Sequence, residues 1–112
     1  MKKIEAIIRP EKLPAVKAAL EDIGYPGMTL SEVKGHGKEA SQTQQWRGQK
    51  YEIEFLPKTK IEIIVVDDDA PKIVSAIVRT ARTGEPGDGK IFILPVEGAV
   101  RIRTGDRDIN AV

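Results

Sequence analysis

The chain has no cysteine, and His36 is its single histidine. Disulfide bonds, a Cys/His metal site and catalysis by a Cys/His pair are therefore excluded. Lys+Arg 18 against Asp+Glu 17 leave a net charge of +1, which gives no overall reason to expect direct nucleic-acid binding. No apolar run approaches the roughly eighteen residues of a membrane span, and the first residues show no signal-peptide core, so we expect a cytoplasmic protein without membrane insertion.

The 112 residues, 40% of them apolar, suffice for one core, and we expect a single domain over residues 1–112. Apolar spacing predicts one helix carrying Leu13, Val16 and Leu20 with Gly24 as its C-cap. A second helix begins at acids near Asp67 and ends at Gly84. Strands are predicted in KKIEAIIR, MTLSEVKG, KIEIIVV and KIFILPV.

The order βαββαβ predicts an α+β, ferredoxin-like sheet with both helices on one face. The other face is then bare. Because IIVV and IFIL are apolar at successive positions, we expect that face to be apolar and to pack sheet against sheet in a homo-oligomer. The alternative is that the C-terminal AVRIRTGDRDINAV covers the face of its own subunit.

The stretch GEPGDGK, residues 84–90, fits the pattern GxxxxGK of phosphate-binding loops. A Walker A motif is opposed by Ile91 where Ser or Thr is needed, and by the order helix–loop–strand. The glycines still allow an anion-binding nest beside Lys90. The alternative is an ordinary turn between helix and strand.

Basic residues two apart mark two further positions. Arg101 and Arg103 would project from one face of a strand with Ile102 packing on the other, and Lys58 and Lys60 repeat the spacing. Solvated charged strands are the alternative. With the glycines, these residues indicate nucleotide phosphate binding without hydrolysis. The lack of a paired general base argues against a small phosphotransfer enzyme. His36 has no recognisable partner and is interpreted as a turn residue.

Residues 35–58, GHGKEASQTQQWRGQKYEIEFLPK, show no helix or strand periodicity. So long a loop in so small a domain is either functional or disordered.

These stretches together resemble the nitrogen regulatory PII signal-transduction proteins over essentially the whole chain. TGEPGDGKIFI at 83–93 matches the second PII signature completely, and RIRTG at 101–105, EAIIRPEKL at 5–13 and GMT at 27–29 also look like the family. WRGQKY at 46–51 departs from the first signature, which usually reads Tyr, Arg or Lys, Gly, a small residue, Ala or Glu, Tyr.

The resemblance implies a homotrimer, not an enzyme, with a mobile T-loop at about 37–55 that docks to target proteins. It implies an ATP/ADP cleft between subunits lined by Thr29, Gly37, Lys38, Gly87, Asp88, Gly89, Lys90, Arg101 and Arg103. Lys58 would reach the effector 2-oxoglutarate, and Arg47 would dock the target. Tyr51 is either an acceptor for a nucleotidyl group or an aromatic residue packed at the base of the loop.

Glu39 stands where the family usually has a glutamine that completes a Mg²⁺ site shared by ATP and 2-oxoglutarate. A carboxylate suits Mg²⁺ but repels the effector's two negative charges, so we expect weak or no 2-oxoglutarate binding. The alternatives are that Gln42 or Gln44 replaces it, or that Glu39 points into solvent and the effector binds as usual.

The expected function is a sensor of ATP/ADP that controls nitrogen assimilation through an ammonium transporter or nitrogen-metabolism enzymes and regulators. A PII-like regulator of another pathway, such as inorganic-carbon uptake, is the alternative. A ferredoxin-like trimer for metal tolerance is disfavoured by the lack of cysteine.

Overall fold

The computed structural model of the protein describes residues 1–25, 27–36, 43–46, 49–52 and 55–112, with 43–46 and 49–52 described by their backbone. The strands and helices within these ranges are β1 Lys2–Ile8, α1 Leu13–Asp22, β2 Thr29–Gly35, β3 Thr43–Trp46, β4 Gln49–Glu52, β5 Leu56–Val65, α2 Ala70–Ala81 and β6 Lys90–Pro95.

Helix α1 follows a short 3-10 turn at Pro10–Lys12, as the proline after the first strand indicates. Its predicted apolar face is buried at Val16 and Leu20. Gly24 has φ +90, and its N–H donates to the carbonyl of Glu21, which confirms it as the residue that ends the helix.

Helix α2 buries Ile73, Ala76 and Ile77, as its periodicity predicts. Two details of the prediction are wrong. The helix ends at Ala81, three residues before Gly84, and its N-terminus receives no side-chain cap from an aspartate. The acids instead form the 3-10 turn Asp67–Asp69, and one of them, Asp69, accepts a short hydrogen bond from the Tyr25 hydroxyl.

The four main strands form one antiparallel sheet in the order β2-β5-β1-β6, and both helices pack on one face of it. The core lies between this face and the helices, with Ile4, Ile61, Val65, Leu20 and Ile73 at its centre. The predicted ferredoxin-like α+β fold is confirmed.

The open face of the sheet is less apolar than expected. Phe92 and Leu94 do lie there, each at least 40% exposed. At the centre, however, Lys3 and Glu62 approach to 2.6 Å and Lys60 and Glu5 to 3.4 Å. The Lys3 ammonium lowers the pKa of Glu62. In strands β1 and β5 the charged residues of the open face alternate with apolar residues that are buried under the helices. The expectation of an apolar open face counted those buried residues as part of it.

We expected no strand in residues 35–58, and this is wrong within the stretch 37–55, called here the long loop. β3 and β4 pair antiparallel from Thr43 opposite Glu52 to Trp46 opposite Gln49. Both strands are polar enough that no apolar alternation marks them in the sequence.

Candidate functional site

Residues 83–89, called here the glycine loop, are closed around the carboxylate of Asp88. Asp88 accepts hydrogen bonds from the backbone N–H groups of Thr83 and Gly84, both at 2.9 Å, and a short one from the Thr83 hydroxyl. The Thr83 hydroxyl, its backbone N–H, Gly84 and Arg9 together hold the pKa of Asp88 far below its usual range. The carboxylate is therefore ionised at all physiological pH values and shapes the loop from within.

Two glycines give the loop its remaining form. Gly87 and Gly89 have φ +102 and +101, a region that side chains other than glycine rarely adopt. A Cβ at Gly89 would lie 1.7 Å from the carbonyl oxygen of Ile7, so the loop is seated directly on the end of β1. This close approach places Lys90 at the start of β6, opposite Ile7.

Two side chains from elsewhere in the chain tie the loop to the sheet. The Lys58 ammonium donates to the Gly87 carbonyl at 2.8 Å, although its side chain is only 7% exposed. Arg9 donates to the Pro86 carbonyl at 2.8 Å and to Asp88 at 3.3 Å. Lys58 thus joins the predicted nucleotide residues, whereas sequence reasoning missed Arg9 and Thr83 as supports. For Arg9 the available signal was its position directly after the first strand, where the glycine loop lies.

Lys58 also contacts the foot of the long loop. A Cβ at Gly35 would lie 3.2 Å from the Lys58 side chain, so the glycine makes room for it. The next residue, His36, meets Phe55 edge-on across the two feet of the loop, with ring centroids 5.7 Å apart. The glycine loop and the long loop are therefore connected through one lysine.

Thr29 lies on β2, at the opposite edge of the sheet from Lys90 on β6. Three strand spacings, about 14 Å, separate the two edges. A cavity of about 290 Å³ beside Thr29 is also lined by Glu62, Ile64, Ala99 and Val112. One chain alone does not bring the predicted site residues together.

The strand predicted through Arg101 and Arg103 is wrong. The N–H of Gly105 donates to the Arg101 carbonyl at 2.7 Å, which closes a turn, and the Arg101 guanidinium lies 3.5 Å from Asp106. Ile102, expected to pack behind the arginines, is 99% exposed. Val100 forms an isolated antiparallel bridge with Arg107 of the same tail, so the segment folds back on itself and does not continue as a strand.

The C-terminal tail, residues 99–112, covers part of the open face of its own sheet, as the alternative expectation held. Ala99 and Val112 lie beside Thr29 and Ile64 on the open face. Phe92 and Leu94 stay exposed. Most of the face is left uncovered by the chain's own C-terminal residues.

Several predicted residues lie outside the described ranges, namely Gly37, Lys38, Glu39, Gln42 and Arg47. Gln44 and Tyr51 belong to β3 and β4, of which only the backbone is described. In the part of the chain that the structure describes, no three His, Cys, Asp or Glu residues gather as a metal cluster. None of the helices found there is long and apolar enough to cross a bilayer.

A sequence profile of the family described as Nitrogen regulatory protein P-II matches residues 1–106. Curated proteins of the same description align with the whole chain over their own full length. Those of Microchaete diplosiphon, Nostoc punctiforme and Klebsiella oxytoca are 56%, 55% and 52% identical to it over 112 residues.

Proposed function

Since the chain belongs to the P-II family of nitrogen regulatory proteins, a family of regulators and not of enzymes, we propose that it senses ATP and ADP and passes the signal to a protein target through its long loop. The target is an ammonium transporter or an enzyme or regulator of nitrogen metabolism.

The observation that carries the proposal is the glycine loop. Its backbone is fixed by Asp88, and Lys90 and Lys58 lie at its two sides. Preformed backbone with adjacent cations suits a polyphosphate, because little ordering is left to be done on binding. The link from Lys58 to Gly35 gives the bound nucleotide a direct route to the foot of the long loop.

We assign Asp88 to positioning the loop, and this assignment has a diagnostic test. Asp88→Asn removes a negative charge near the phosphates, which by Coulomb's law alone would strengthen ATP binding. If the carboxylate instead holds the loop in shape, the substitution weakens ATP binding about tenfold or more, as lost charge-assisted bonds do. Glu85→Gln, in the same loop, is the matched control and leaves calorimetric affinity unchanged. Stronger binding by Asp88→Asn would contradict the assignment.

The nucleotide site is proposed to form between subunits of a homotrimer. Lys90, Gly87 and Gly89 come from one copy, and Thr29, Arg101 and Arg103 from its neighbour. The separation of the two sheet edges supports this division. Gly37 and Lys38 complete the site from the long loop.

Mg²⁺ is proposed to accompany ATP with Glu39 as a ligand, and the carboxylate is proposed to weaken 2-oxoglutarate binding at Lys58. A further negative charge about 4 Å from the effector opposes binding by about 4 kcal/mol at an effective dielectric near 20, before Mg²⁺ and Lys58 offset part of it. Titration of 2-oxoglutarate into Mg-ATP-loaded wild type and Glu39→Gln tests this. Micromolar binding by the wild type that the substitution does not improve would contradict the proposal.

Arg47 is proposed to dock the target protein, and Tyr51 is proposed either to accept a nucleotidyl group or to pack at the base of the long loop. Arg47→Ala should abolish capture of an ammonium transporter in a binding assay with ATP or ADP present, and intact capture would contradict the docking role. Intact-mass spectra of protein from nitrogen-limited cells decide the role of Tyr51. A nucleotidyl mass that Tyr51→Phe removes supports modification, and its absence under every nitrogen condition supports packing.

A further inference from the structure

The connection from α1 to β2 contains two glycines, Gly24 and Gly27. A Cβ at either position would meet no atom of the described residues within 4 Å, so a side chain there would find nothing to pack against. Tyr25 and Met28, in contrast, pack against the core. Residues 24, 25, 27 and 28, called here the α1–β2 turn, are therefore anchored through these two side chains.

Tyr25 is also bonded to a distant part of the chain. Its hydroxyl donates a hydrogen bond to Asp69, in the 3-10 turn that precedes α2. The Lys72 ammonium lies 3.4 Å from the same carboxylate and 5.8 Å from the centre of the Tyr25 ring. These three side chains, called here the tyrosine latch, join the α1–β2 turn to the beginning of α2.

The latch stays closed over the physiological pH range. Burial, and after it the bond to Asp69, raises the pKa of Tyr25 to about 12. The bond from Tyr25 also lowers the pKa of Asp69. The phenol therefore remains a donor and the carboxylate an ionised acceptor.

The α1–β2 turn leads directly into one wall of the cavity beside Thr29. Gly27, Met28 and Thr29 line the cavity from this side, and Glu62 and Ile64 line it from β5. Strand β2 begins at Thr29, which lies opposite Glu62. Because the ends of an element open more easily than its centre, the position of Thr29 depends on what holds the turn before it.

We propose that the tyrosine latch positions the nucleotide site: by fixing the α1–β2 turn, it holds Thr29 and the cavity beside it in the form that ATP binds. This inference rests on the proposed nucleotide function, because Thr29 is one of the residues assigned to the cleft. Tyr25 and Asp69 are positioning residues, which act through the turn from outside the lining of the cavity.

Hydrogen exchange without nucleotide tests the latch itself. Tyr25→Phe removes the hydroxyl and keeps the ring, so the turn should open more often. Amides at residues 27–30 should then exchange about tenfold faster, while those of Val16 and Leu20, buried in α1, stay unchanged. Unchanged exchange at residues 27–30 would overturn the latch, whatever the protein binds.

Calorimetry tests the positioning role. Tyr25→Phe and Asp69→Ala should each weaken ATP binding about threefold to tenfold, as the loss of one hydrogen bond predicts. The double variant should be no weaker than the weaker single variant, because both changes remove the same bond. Asp69→Asn keeps an acceptor oxygen for the hydroxyl and should bind ATP within about twofold of wild type.

Two controls separate positioning from a general loss of stability. Asp68→Ala changes the neighbouring exposed acid of the same 3-10 turn, and Ala18→Gly weakens α1 on its exposed side. Ala18→Gly should lower the thermal midpoint, and both variants should bind ATP as wild type does.

Three results would overturn the positioning role. They are an unchanged ATP affinity in Tyr25→Phe, an equal loss in Ala18→Gly, and no rescue by Asp69→Asn. If wild type itself binds no ATP, the proposed nucleotide function is contradicted and the positioning role with it, whereas faster exchange in Tyr25→Phe would still demonstrate the latch.

Discussion

The glycine loop and the turn at residues 101–106 look alike in sequence, since glycine lies close to basic side chains in both: Lys90 follows the loop, and Arg101 and Arg103 lie in the turn. In the structure they differ in what holds them. The glycine loop is bonded to Arg9 and Lys58, which are distant in sequence. Within the described residues, the turn is held by contacts between its own neighbours, Arg101 and Asp106. One half of the proposed site is thus held by distant parts of the chain, and the other half by its own neighbours.

The largest expected effect comes from breaking the preformed half. Gly89→Ala places a Cβ 1.7 Å from the Ile7 carbonyl oxygen, so the loop must leave the end of β1. Gly84→Ala is the control, because its φ is +91 but nothing lies within 4 Å of the new Cβ. We expect about 1–2 kcal/mol of backbone strain for Gly84→Ala and more than about 4 kcal/mol for Gly89→Ala, in urea unfolding.

Similar losses in the two variants would show that strain alone, and not the seat on β1, determines the stability of the loop.

The next effect separates binding from stability. Arg103→Ala should weaken ATP binding about tenfold or more, as loss of a charge-assisted bond does, while the thermal midpoint stays unchanged because Arg103 is exposed in the turn. Arg79→Ala on α2 is the control and should bind ATP normally. Unchanged affinity for Arg103→Ala by calorimetry would remove the turn from the proposed site.

The sequence predicted what local periodicity determines. Val16 and Leu20 on α1, and Ile73 and Ile77 on α2, are spaced for one helix face, and the helices bury them there. Gly24 likewise ends α1 because few other residues adopt a positive φ. These features depend on residues within one or two turns of each other.

The features that the sequence did not predict depend mostly on which residues of the folded chain become neighbours. The bond between Asp88 and Arg9 spans 79 positions, so this contact left no local signal, and the nucleotide role of Asp88 stays a prediction. Arg101–Arg103 have strand periodicity, but Val100 bridges Arg107 of the same tail and the residues between them form a turn. The Lys3–Glu62 pair on the open face depends on the register of β1 against β5.

A smaller effect follows from the lowered pKa of Asp88. Its folded-state pKa lies below the ordinary value, so its bonds stabilise the protein above about pH 4 and are lost as the pH falls toward the folded-state pKa. The free energy of unfolding of wild type should therefore exceed that of Asp88→Asn at pH 6, and the difference should shrink between about pH 4 and pH 2. A difference independent of pH would show that the charge of Asp88 does not close the loop.

The smallest effect on stability, and the one that sharpens the comparison most, is expected at the turn. Asp106 lies 3.5 Å from the Arg101 guanidinium, and both side chains are at least 40% exposed. An exposed pair of this kind contributes about 0.5 kcal/mol or less, so Asp106→Asn should leave the free energy of unfolding nearly unchanged.

The same substitution frees Arg101 from a competing carboxylate. If the turn is half of a phosphate site that a second copy completes, ATP binding should then become about twofold to fivefold tighter, as removal of a nearby negative charge predicts at a screened surface. Asp108→Asn, at the next acid of the tail, controls for the change in net charge. Tighter binding in both variants would reduce the effect to long-range electrostatics, and weaker binding in Asp106→Asn alone would mean that the turn must keep its present form to hold the phosphates.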